Sequence, residues 1–212
     1  MNPFADTLSF LLRGGWPLYL FWLLLVGSIV IAVVNLGRDP AQRTLAGVWM
    51  WVARVVVGGM WWQQTLWKLP PTYTDNPDGV SGGLHYWIDM MVQGAAFDWH
   101  RAFVKDVVQP HFYFFAPQVY GMEVLIAISL MLGLFVPVGG ALGALQAINL
   151  WLGLYRAPHE WSWAYAFLIM LQITFAVLHA GRSLGIDAFL SRRGLVGAEP
   201  RKLSARVRAL LR

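Results

Sequence analysis

The stretch PLYLFWLLLVGSIVIAVVNL, from Pro17 to Leu36, decides the class of fold because it carries no charged residue. A helix needs about 20 residues to cross the hydrocarbon core of a bilayer, and this stretch is long enough to do so. The whole chain agrees in composition: 58% of its 212 residues are hydrophobic and 13% are charged. A soluble domain carries about 25% charged residues. The sequence therefore predicts an integral membrane protein.

Four more apolar stretches are candidate membrane spans, at about residues 45–67, 119–136, 138–155 and 161–180. A helix satisfies its own backbone hydrogen-bonding groups in lipid, so each span is expected to be helical. The predicted fold is therefore an all-α integral membrane helical bundle with five spans. A turn at residues 137–140 would make the third and fourth helices a tight hairpin, which the small residues Gly139 and Gly143 would allow to pack closely.

The region 68–118 is the only sizeable extramembrane segment expected between spans. Its apolar residues repeat with helical spacing in two places, which predicts two amphipathic helices lying on the outer face of the bundle. The first pattern consists of Leu84, Trp87, Ile88 and Met91. The second follows Asp98, a possible N-cap, and consists of Trp99, Phe103, Val104, Val107 and Val108.

The basic residues predict the orientation, because cytoplasmic loops of membrane proteins are enriched in Lys and Arg. An N-terminus outside and a C-terminus inside place more basic residues on the cytoplasmic side than on the opposite side. The cytoplasmic set is Arg38, Arg43, Arg182, Arg192, Arg193, Arg201, Lys202, Arg206, Arg208 and Arg212; the outer set is Arg13, Lys68, Arg101, Lys105 and Arg156. We expect a multi-pass protein of a bacterial or archaeal cytoplasmic membrane.

The tail at residues 191–212 supplies much of the net charge of +5. Leu203, Val207, Leu210 and Leu211 form one apolar face, and basic residues form the other. This pattern predicts a helix that lies on an anionic inner leaflet or docks a partner. A basic tail beside membrane spans favours these two interpretations over binding of nucleic acid.

Ionisable residues inside spans are costly and need a partner or a function. Arg54 and Gln146 have similar estimated depths, and Gln146 could accept hydrogen bonds from Arg54. Lys68 and Glu123 both lie near the outer boundary and are plausible partners. These residues could instead be polar contacts that only hold the helices in register.

The chain has no cysteine, which excludes disulfides, thiolate metal sites and a cysteine persulfide. His100 and His111 could ligate haem, but histidines that bind haem in bundles usually face each other from spanning helices. No histidine spacing typical of zinc sites is present. Neither haem nor a metal is therefore expected.

Twelve tryptophans are many for this length. Five lie near the outer boundary, where an aromatic belt is expected. Some of them could instead form the wall of a quinone pocket, since flat rings pack against a flat head group. The five are Trp61, Trp62, Trp67, Trp161 and Trp163.

Three stretches together resemble the DoxX/DoxD-like membrane proteins. They are RVVVGGMWWQQTLWKL (residues 54–69), EVLIAISLMLGLF (residues 123–135) and GRSLGID (residues 181–187). The long loop at 68–118 is most similar to the DoxD branch, named for the small subunit of thiosulfate:quinone oxidoreductase. The resemblance covers roughly residues 48–190, and it implies a four-helix core associated with electron transfer from a reduced sulfur compound to the quinone pool.

The resemblance divides the chain into an N-terminal extension with an additional span (1–44), a DoxD-like four-helix domain (45–190) and the basic tail (191–212). The extension and the tail depart from the family pattern and are typical of surfaces for other membrane-complex subunits. This motivates an alternative function, a non-catalytic accessory or scaffold subunit of a respiratory or photosynthetic complex. A transporter is disfavoured because no broken-helix pair or inverted repeat is evident.

The resemblance also suggests roles for individual residues. Glu123, Arg54 and Lys68 are the candidate catalytic residues, with Glu123 relaying protons to quinone. Thiosulfate is a dianion, so cations are expected to bind it. The candidates are Lys68, Arg101 and Lys105 for thiosulfate, and Trp62, Trp67 and His111 for quinone. Arg182 and Asp187 are expected to fix the turn after the last span without taking part in chemistry.

Overall fold

The computed structural model describes residues 2–12, 14–74 and 83–195, and the regular elements in these ranges are all helices. The predicted tail helix at 201–212 and residues 75–82 of the predicted outer region lie outside the described residues. The α-helices are α1 (Pro3–Leu12), α2 (Trp16–Arg38), α3 (Leu45–Thr65), α4 (Gly83–Gly94), α5 (Asp98–Phe103), α6 (Phe112–Leu132), α7 (Val136–Leu154), α8 (Ser162–Val177) and α9 (Ile186–Arg192).

Four of these helices, α2, α3, α6 and α7, are long and apolar enough to cross a membrane. The prediction of an all-α fold is therefore confirmed for the described residues, and the four long apolar helices are compatible with a multi-pass membrane protein. The fifth predicted span corresponds to α8, an apolar helix of 16 residues. Because this is shorter than the ~20 residues that a span usually needs, helix length does not confirm the count of five.

The long helices alternate in direction. The Trp62 indole of α3 donates to the Pro17 carbonyl at the start of α2. Near the middle of α2, the Ser28 hydroxyl donates to the Met131 carbonyl, 2.6 Å away, at the end of α6. Helix α2 is therefore antiparallel to α3 and parallel to α6. We call the two ends of the bundle the Lys68 end, where α3 ends and α6 begins, and the Asp187 end, where α6 ends and α7 begins.

The α6–α7 connection differs from the prediction. The turn lies at residues 133–135, with Gly133 in the left-handed region at φ 69°, and α7 begins at Val136. Residues 137–140, predicted as the turn, form the first turn of α7, where Pro137 is tolerated because its missing N–H would have no helical partner. Helix α6 also begins at Phe112, seven residues before its predicted start, so it includes residues that the sequence placed in the outer loop.

Asp187 closes this turn. Its carboxylate accepts hydrogen bonds from the backbone N–H groups of Phe135, at 2.7 Å, and Val136, at 3.0 Å. Its own N–H donates to the Gly133 carbonyl at 2.8 Å. A carboxylate at the start of a helix satisfies free N–H groups and complements the helix dipole. The sequence predicted that Asp187 fixes the turn after the last span; its carboxylate instead holds the α6–α7 connection.

Gly139 and Gly143 serve two different helix contacts. A Cβ on Gly139 would collide with the Ser129 side chain of α6. A Cβ on Gly143 would lie 2.5 Å from Cδ of Gln172 on α8. Small residues at these positions therefore let α7 approach both neighbours closely, as small-residue pairs do in membrane bundles.

Helices α4 and α5 lie across the Lys68 end. Of the predicted apolar face of α4, Leu84, Ile88 and Met91 are buried and Trp87 is half-buried. The connection to α5 is held by a hydrogen bond from the Ala96 N–H to the Leu152 carbonyl of α7. Helix α5 continues into a π-helical turn at Val104–Val108.

The predicted apolar face of α5 is wrong in part. Val104 is buried, but Trp99, Phe103 and Val107 are exposed. Asp98 is the first helical residue and Phe97 takes the N-cap position, where it makes no side-chain cap hydrogen bond. Two apolar stripes lie side by side on this short helix, and helical spacing alone does not tell which of them faces the bundle.

Candidate functional site

A cavity of about 440 Å³ lies inside the bundle toward the Lys68 end. Helices α3, α4, α6, α7 and α8 and the segment around α5 contribute to its wall. Most lining side chains are aliphatic or aromatic, and those with polar groups include Gln64, Lys68, Glu123, Gln146 and Asn149. Ligand pockets of proteins commonly have about 300–1,000 Å³ and this same mixture of apolar walls with a few polar groups.

Lys68 and Glu123 form a buried ion pair in the cavity wall. Lys68 Nζ lies 2.7 Å from Oε1 and 2.5 Å from Oε2 of Glu123. The two residues are 4% and 1% exposed. The predicted partnership of Lys68 and Glu123 is therefore confirmed. Each charge offsets the desolvation of the other, so removal of either would leave an unpaired charge inside the protein.

The local sequence explains how the two side chains meet. Helix α3 ends at Thr65, whose hydroxyl donates back to the Trp62 carbonyl at 2.7 Å, and Lys68 follows one turn later. Glu123 lies midway along α6 on the stripe that also buries Ile126, Ala127 and Leu130. The long aliphatic stem of a lysine can pack along apolar surface while its ammonium group reaches a distant partner.

Two amides of α7 extend the polar part of the wall. The Gln146 amide donates to Glu123 Oε1 at 3.5 Å, a long contact. Asn149 Oδ1 lies 3.1 Å from Nε2 of His100, which is buried on α5. Gln146 and Asn149 are three residues apart, which places them on one face of α7.

Arg54 lies away from the cavity, and its predicted pairing with Gln146 is wrong. The guanidinium of Arg54 donates to the backbone carbonyls of Leu130 and Met131, near the end of α6. The first turns of α3 extend past the α6–α7 connection, so Arg54 meets the end of α6. Equal residue counts from the helix starts therefore do not mean equal depth in this bundle.

The structure brings together some of the residues predicted for the site and separates others. Trp67 lines the cavity beside Lys68, whose Nζ lies 4.5 Å from the centre of the indole ring. Trp62 instead faces α2 through its hydrogen bond to Pro17. His111 is exposed, with Nδ1 2.9 Å from the Val107 carbonyl.

The remaining predicted anion-binding residues lie on α5 and the π-helical turn. Arg101 pairs with the exposed Asp98 at 2.7 Å, and Lys105 is exposed. Neither lines the cavity. Of the predicted site residues, Lys68, Glu123 and Trp67 therefore meet at the cavity, whereas Arg54, Arg101, Lys105, Trp62 and His111 do not.

Several residues at the cavity were not predicted to belong to a site. They include Trp87, Asn149 and the pair in which the Tyr165 hydroxyl donates to Glu160 Oε2 at 2.7 Å. Of the five tryptophans considered for a quinone pocket, Trp61 and Trp67 line the cavity. The spacing of Gln146 and Asn149 was a usable signal, because two amides on one face of an apolar helix favour an interior polar patch. Within the described parts of the chain, no three His, Asp or Glu side chains are grouped so that they could hold a metal ion.

Comparison of the chain with known protein families, curated proteins and solved structures finds no match.

The arrangement can bind an amphiphilic molecule and exchange protons with it. Its apolar wall can hold a ring or an acyl chain, and its amides and ion pair offer both donors and acceptors. The ammonium of Lys68 carries transferable protons, and the carboxylate of Glu123 can accept one. Access for the molecule exists at residues that both line the cavity and reach the protein surface, such as Met60 and Phe103, which are 53% and 47% exposed.

Proposed function

We propose that this chain is the membrane subunit of a quinone-linked redox system and that the cavity binds the quinone head group. The observation that carries the proposal is the cavity itself, with an apolar wall interrupted by one buried ion pair and three amides. A quinone needs an apolar environment for its ring and tail and hydrogen-bond donors for its carbonyl oxygens. Both are present on this wall.

The position of the cavity mouth supports a ligand dissolved in the bilayer. Met60 lies in the membrane-span candidate α3, lines the cavity and is half exposed. Ala164 at the start of α8 also lines the cavity and is exposed. A lipophilic molecule could therefore enter sideways from the hydrocarbon without crossing the polar surface of the protein.

Reduction of a quinone to a quinol takes up electrons and protons in equal number. The Lys68 ammonium can supply one of these protons from the cavity wall, and the Glu123 carboxylate can relay the other after it has first taken up a proton. Gln146, which contacts Glu123, would hold the carboxyl in place. The proposed protonation route therefore begins at the pair, and each proton delivered must be replaced from water at the Lys68 end.

The electron donor in this proposal is a reduced sulfur anion such as thiosulfate, as the resemblance to the DoxX/DoxD-like family implies. Joining two thiosulfate ions through a new S–S bond releases one electron from each. The charge of Lys68 is neutralised by Glu123, so the cavity offers a dianion no net positive charge. Arg101 and Lys105 on the outer helices, or a partner subunit, would then bind the anion.

The membrane arrangement belongs to the same proposal. We place the N-terminus outside and the C-terminus in the cytoplasm of a bacterial or archaeal cell, on the charge bias of the sequence. Helix α8 and the turn up to Arg182 would complete a fifth span, because this segment runs back to the Asp187 end. The Lys68 end then faces outward.

Binding of a quinone to the purified chain tests the proposal. The full chain in lipid nanodiscs should bind decyl-benzoquinone, followed by quenching of tryptophan fluorescence, and Glu123→Gln should weaken binding. Met170→Leu on the exposed face of α8 is a control that should leave binding unchanged. A wild-type chain that does not bind the quinone would contradict the proposal.

The second candidate function is a non-catalytic subunit that stabilises a larger membrane complex. It is favoured by the mutual neutralisation of Lys68 and Glu123, since a buried ion pair can also serve only to hold α6 against the end of α3. Purification from native membranes separates the two candidates. A chain that binds quinone and reduces it with thiosulfate on its own would exclude the purely structural function.

A further inference from the structure

Helix α5 and its π-helical turn present three faces, whereas a helix at the surface of a soluble protein usually presents two. His100 and Val104 are buried against the bundle. The apolar stripe, which consists of Trp99, Phe103 and Val107, repeats every four residues, and its members are 62%, 47% and 40% exposed. The polar stripe beside it is also exposed and consists of Asp98, Ala102, Lys105 and Asp106.

The apolar stripe meets the surface of a membrane-span candidate. Phe103 packs edge-on against Phe115 of α6, with ring centres 6.4 Å apart and an angle of 81° between the ring planes. Phe115 is the fourth residue of α6, so at 1.5 Å per residue it lies about 4.5 Å from the start of that helix. Phe114, on the same turn of α6, is 65% exposed. The apolar stripe is therefore continuous with the apolar surface of α6 instead of lying beyond its end.

Other exposed tryptophans lie at the same end of the bundle. Trp16 begins α2, and Trp161 takes the N-cap position of α8, so both lie at the Lys68 end. They are 55% and 63% exposed. Tryptophans gather where a membrane meets water, because the ring is apolar and its N–H is polar. Trp99 fits the same belt.

We propose that α5 and its π-helical turn form an interfacial helix whose apolar stripe inserts among the lipids of the leaflet at the Lys68 end. Such helices lie in the membrane plane with the apolar face about 5–10 Å deep in the boundary between head groups and acyl chains. The three faces then match three surroundings: the bundle, lipid and water. Lipid is favoured over a second protein because the apolar stripe continues the surface of a span candidate. The inference goes beyond the proposed function, since it requires a bilayer and no quinone.

Spin labels on single cysteines test the position of the apolar stripe, and the chain suits this method because it contains no cysteine. Trp99→Cys and Val107→Cys place a label on the apolar stripe, and Ala102→Cys and Lys105→Cys place one on the polar stripe. Each full-length variant is reconstituted into lipid nanodiscs. Collision rates of the label are measured with oxygen, which dissolves in lipid, and with a polar nickel chelate, which does not.

The ratio of oxygen to nickel collisions should be about tenfold higher at positions 99 and 107 than at 102 and 105, because a polar molecule is costly to move into apolar surroundings. Val26→Cys is the reference for contact with lipid, since Val26 is 53% exposed in the middle of α2. Two positions on each stripe keep the test decisive if one variant does not fold.

Four results would overturn the inference. Equally low ratios on both stripes would place α5 in water above the membrane. Low collision rates with both reagents at 99 and 107 would mean that a second copy or a partner protein covers the apolar stripe. A high ratio at only one of these positions in folded variants would mean that the helix does not lie along the interface. A low ratio at position 26 would mean that the bilayer does not surround the bundle. A high ratio at both 99 and 107 supports the inference whether or not the chain binds decyl-benzoquinone.

Discussion

Lys68 Nζ lies 2.5 Å from Glu123 Oε2, and this contact joins the residue one turn beyond α3 to the middle of α6 with both side chains buried. The pair fastens two neighbouring helices and is also the charged part of the cavity wall. A variant of this pair can therefore change both the stability of the protein and the proposed binding of a ligand, so both are measured for each variant.

Removal of one member of the pair should be costly and removal of both much less so. Lys68→Met or Glu123→Leu leaves one buried charge and should destabilise the protein by about 3–5 kcal/mol. The double variant replaces the pair by apolar side chains and should recover most of this loss. Thermal and denaturant unfolding in detergent micelles measures the coupling. Additive losses in the double variant would mean that the pair is not coupled.

The Asp187 cap on α7 should contribute about as much to the free energy of unfolding as a strong N-cap does. Asp187→Ala frees the N–H groups of Phe135 and Val136 and should cost about 1–2 kcal/mol, at the upper part of the range for helix caps. Asp98→Ala is the matched control, because that carboxylate is 94% exposed and should stay within about 0.5 kcal/mol of wild type. Folded yield and Tm are the measurements. Equal effects of the two variants would contradict the cap.

Close packing of α3 on α6 should depend on Gly58. A Cβ there would lie 2.8 Å from Cγ of Met131 and 2.9 Å from its backbone nitrogen, which has little freedom to move. Gly58→Ala should therefore destabilise the protein by about 1–3 kcal/mol. Gly121→Ala, where no atom lies within 4 Å, should be neutral or stabilise α6 by up to about 1 kcal/mol. A lower Tm for Gly121→Ala than for Gly58→Ala would contradict the close packing of α3 on α6.

Gln42 should stabilise the turn after α8. Its amide donates to the Arg182 carbonyl at 2.9 Å, and its Oε1 accepts from the Leu184 N–H at 2.8 Å. Gln42→Ala should cost about 1–3 kcal/mol because it removes both hydrogen bonds from a partly buried site. Gln118→Ala, at an exposed position on α6, is the control. Hydrogen exchange at Leu184 should accelerate in Gln42→Ala alone, and unchanged exchange would exclude the contact.

Helix α4 should make stability depend on pH through His85. Burial lowers the pKa of His85, which stacks on Phe112 with ring centres 3.4 Å apart, although the nearby Asp89 opposes the shift. Since the neutral ring is favoured in the folded state, this contribution is present above the unfolded pKa of about 6.5 and is lost as the pH falls through the folded value. His85→Phe should show a smaller fall in Tm between pH 7 and pH 5. An unchanged fall would show that other groups dominate.

Parts of the site could be predicted from the sequence because charge burial leaves a clear signal. Lys68 and Glu123 are opposite charges beside apolar stretches at the same expected boundary, so each needed a partner and few were available. The buried face of α4 could also be predicted from the sequence, since Leu84, Ile88 and Met91 form a single apolar stripe. In α5 two stripes compete, and the sequence held no information that ranks them.

Other contacts of the site could not be predicted, because they depend on how far one helix is shifted along the axis of its neighbour. Arg54 and Gln146 have similar counts from the starts of their helices, yet Arg54 contacts the end of α6 and Gln146 contacts Glu123. The period of a helix tells which residues share a face, but neither the axial offset nor the identity of the facing helix. Trp61 illustrates the same limit: it belongs to an aromatic run, and only packing reveals that its N–H has no partner among the described residues.

The sequence by itself predicted an all-helical membrane protein, because uncharged apolar stretches of about 20 residues have the length of a helix that crosses a bilayer. It also determined which charges needed a partner. Only the tertiary structure decided that α3, α4, α6, α7 and α8 leave a cavity beside the Lys68–Glu123 pair, and which tryptophans line it. The physical reason is that a cavity is the space left by several helices packed at particular offsets, and no single stretch of sequence encodes that space.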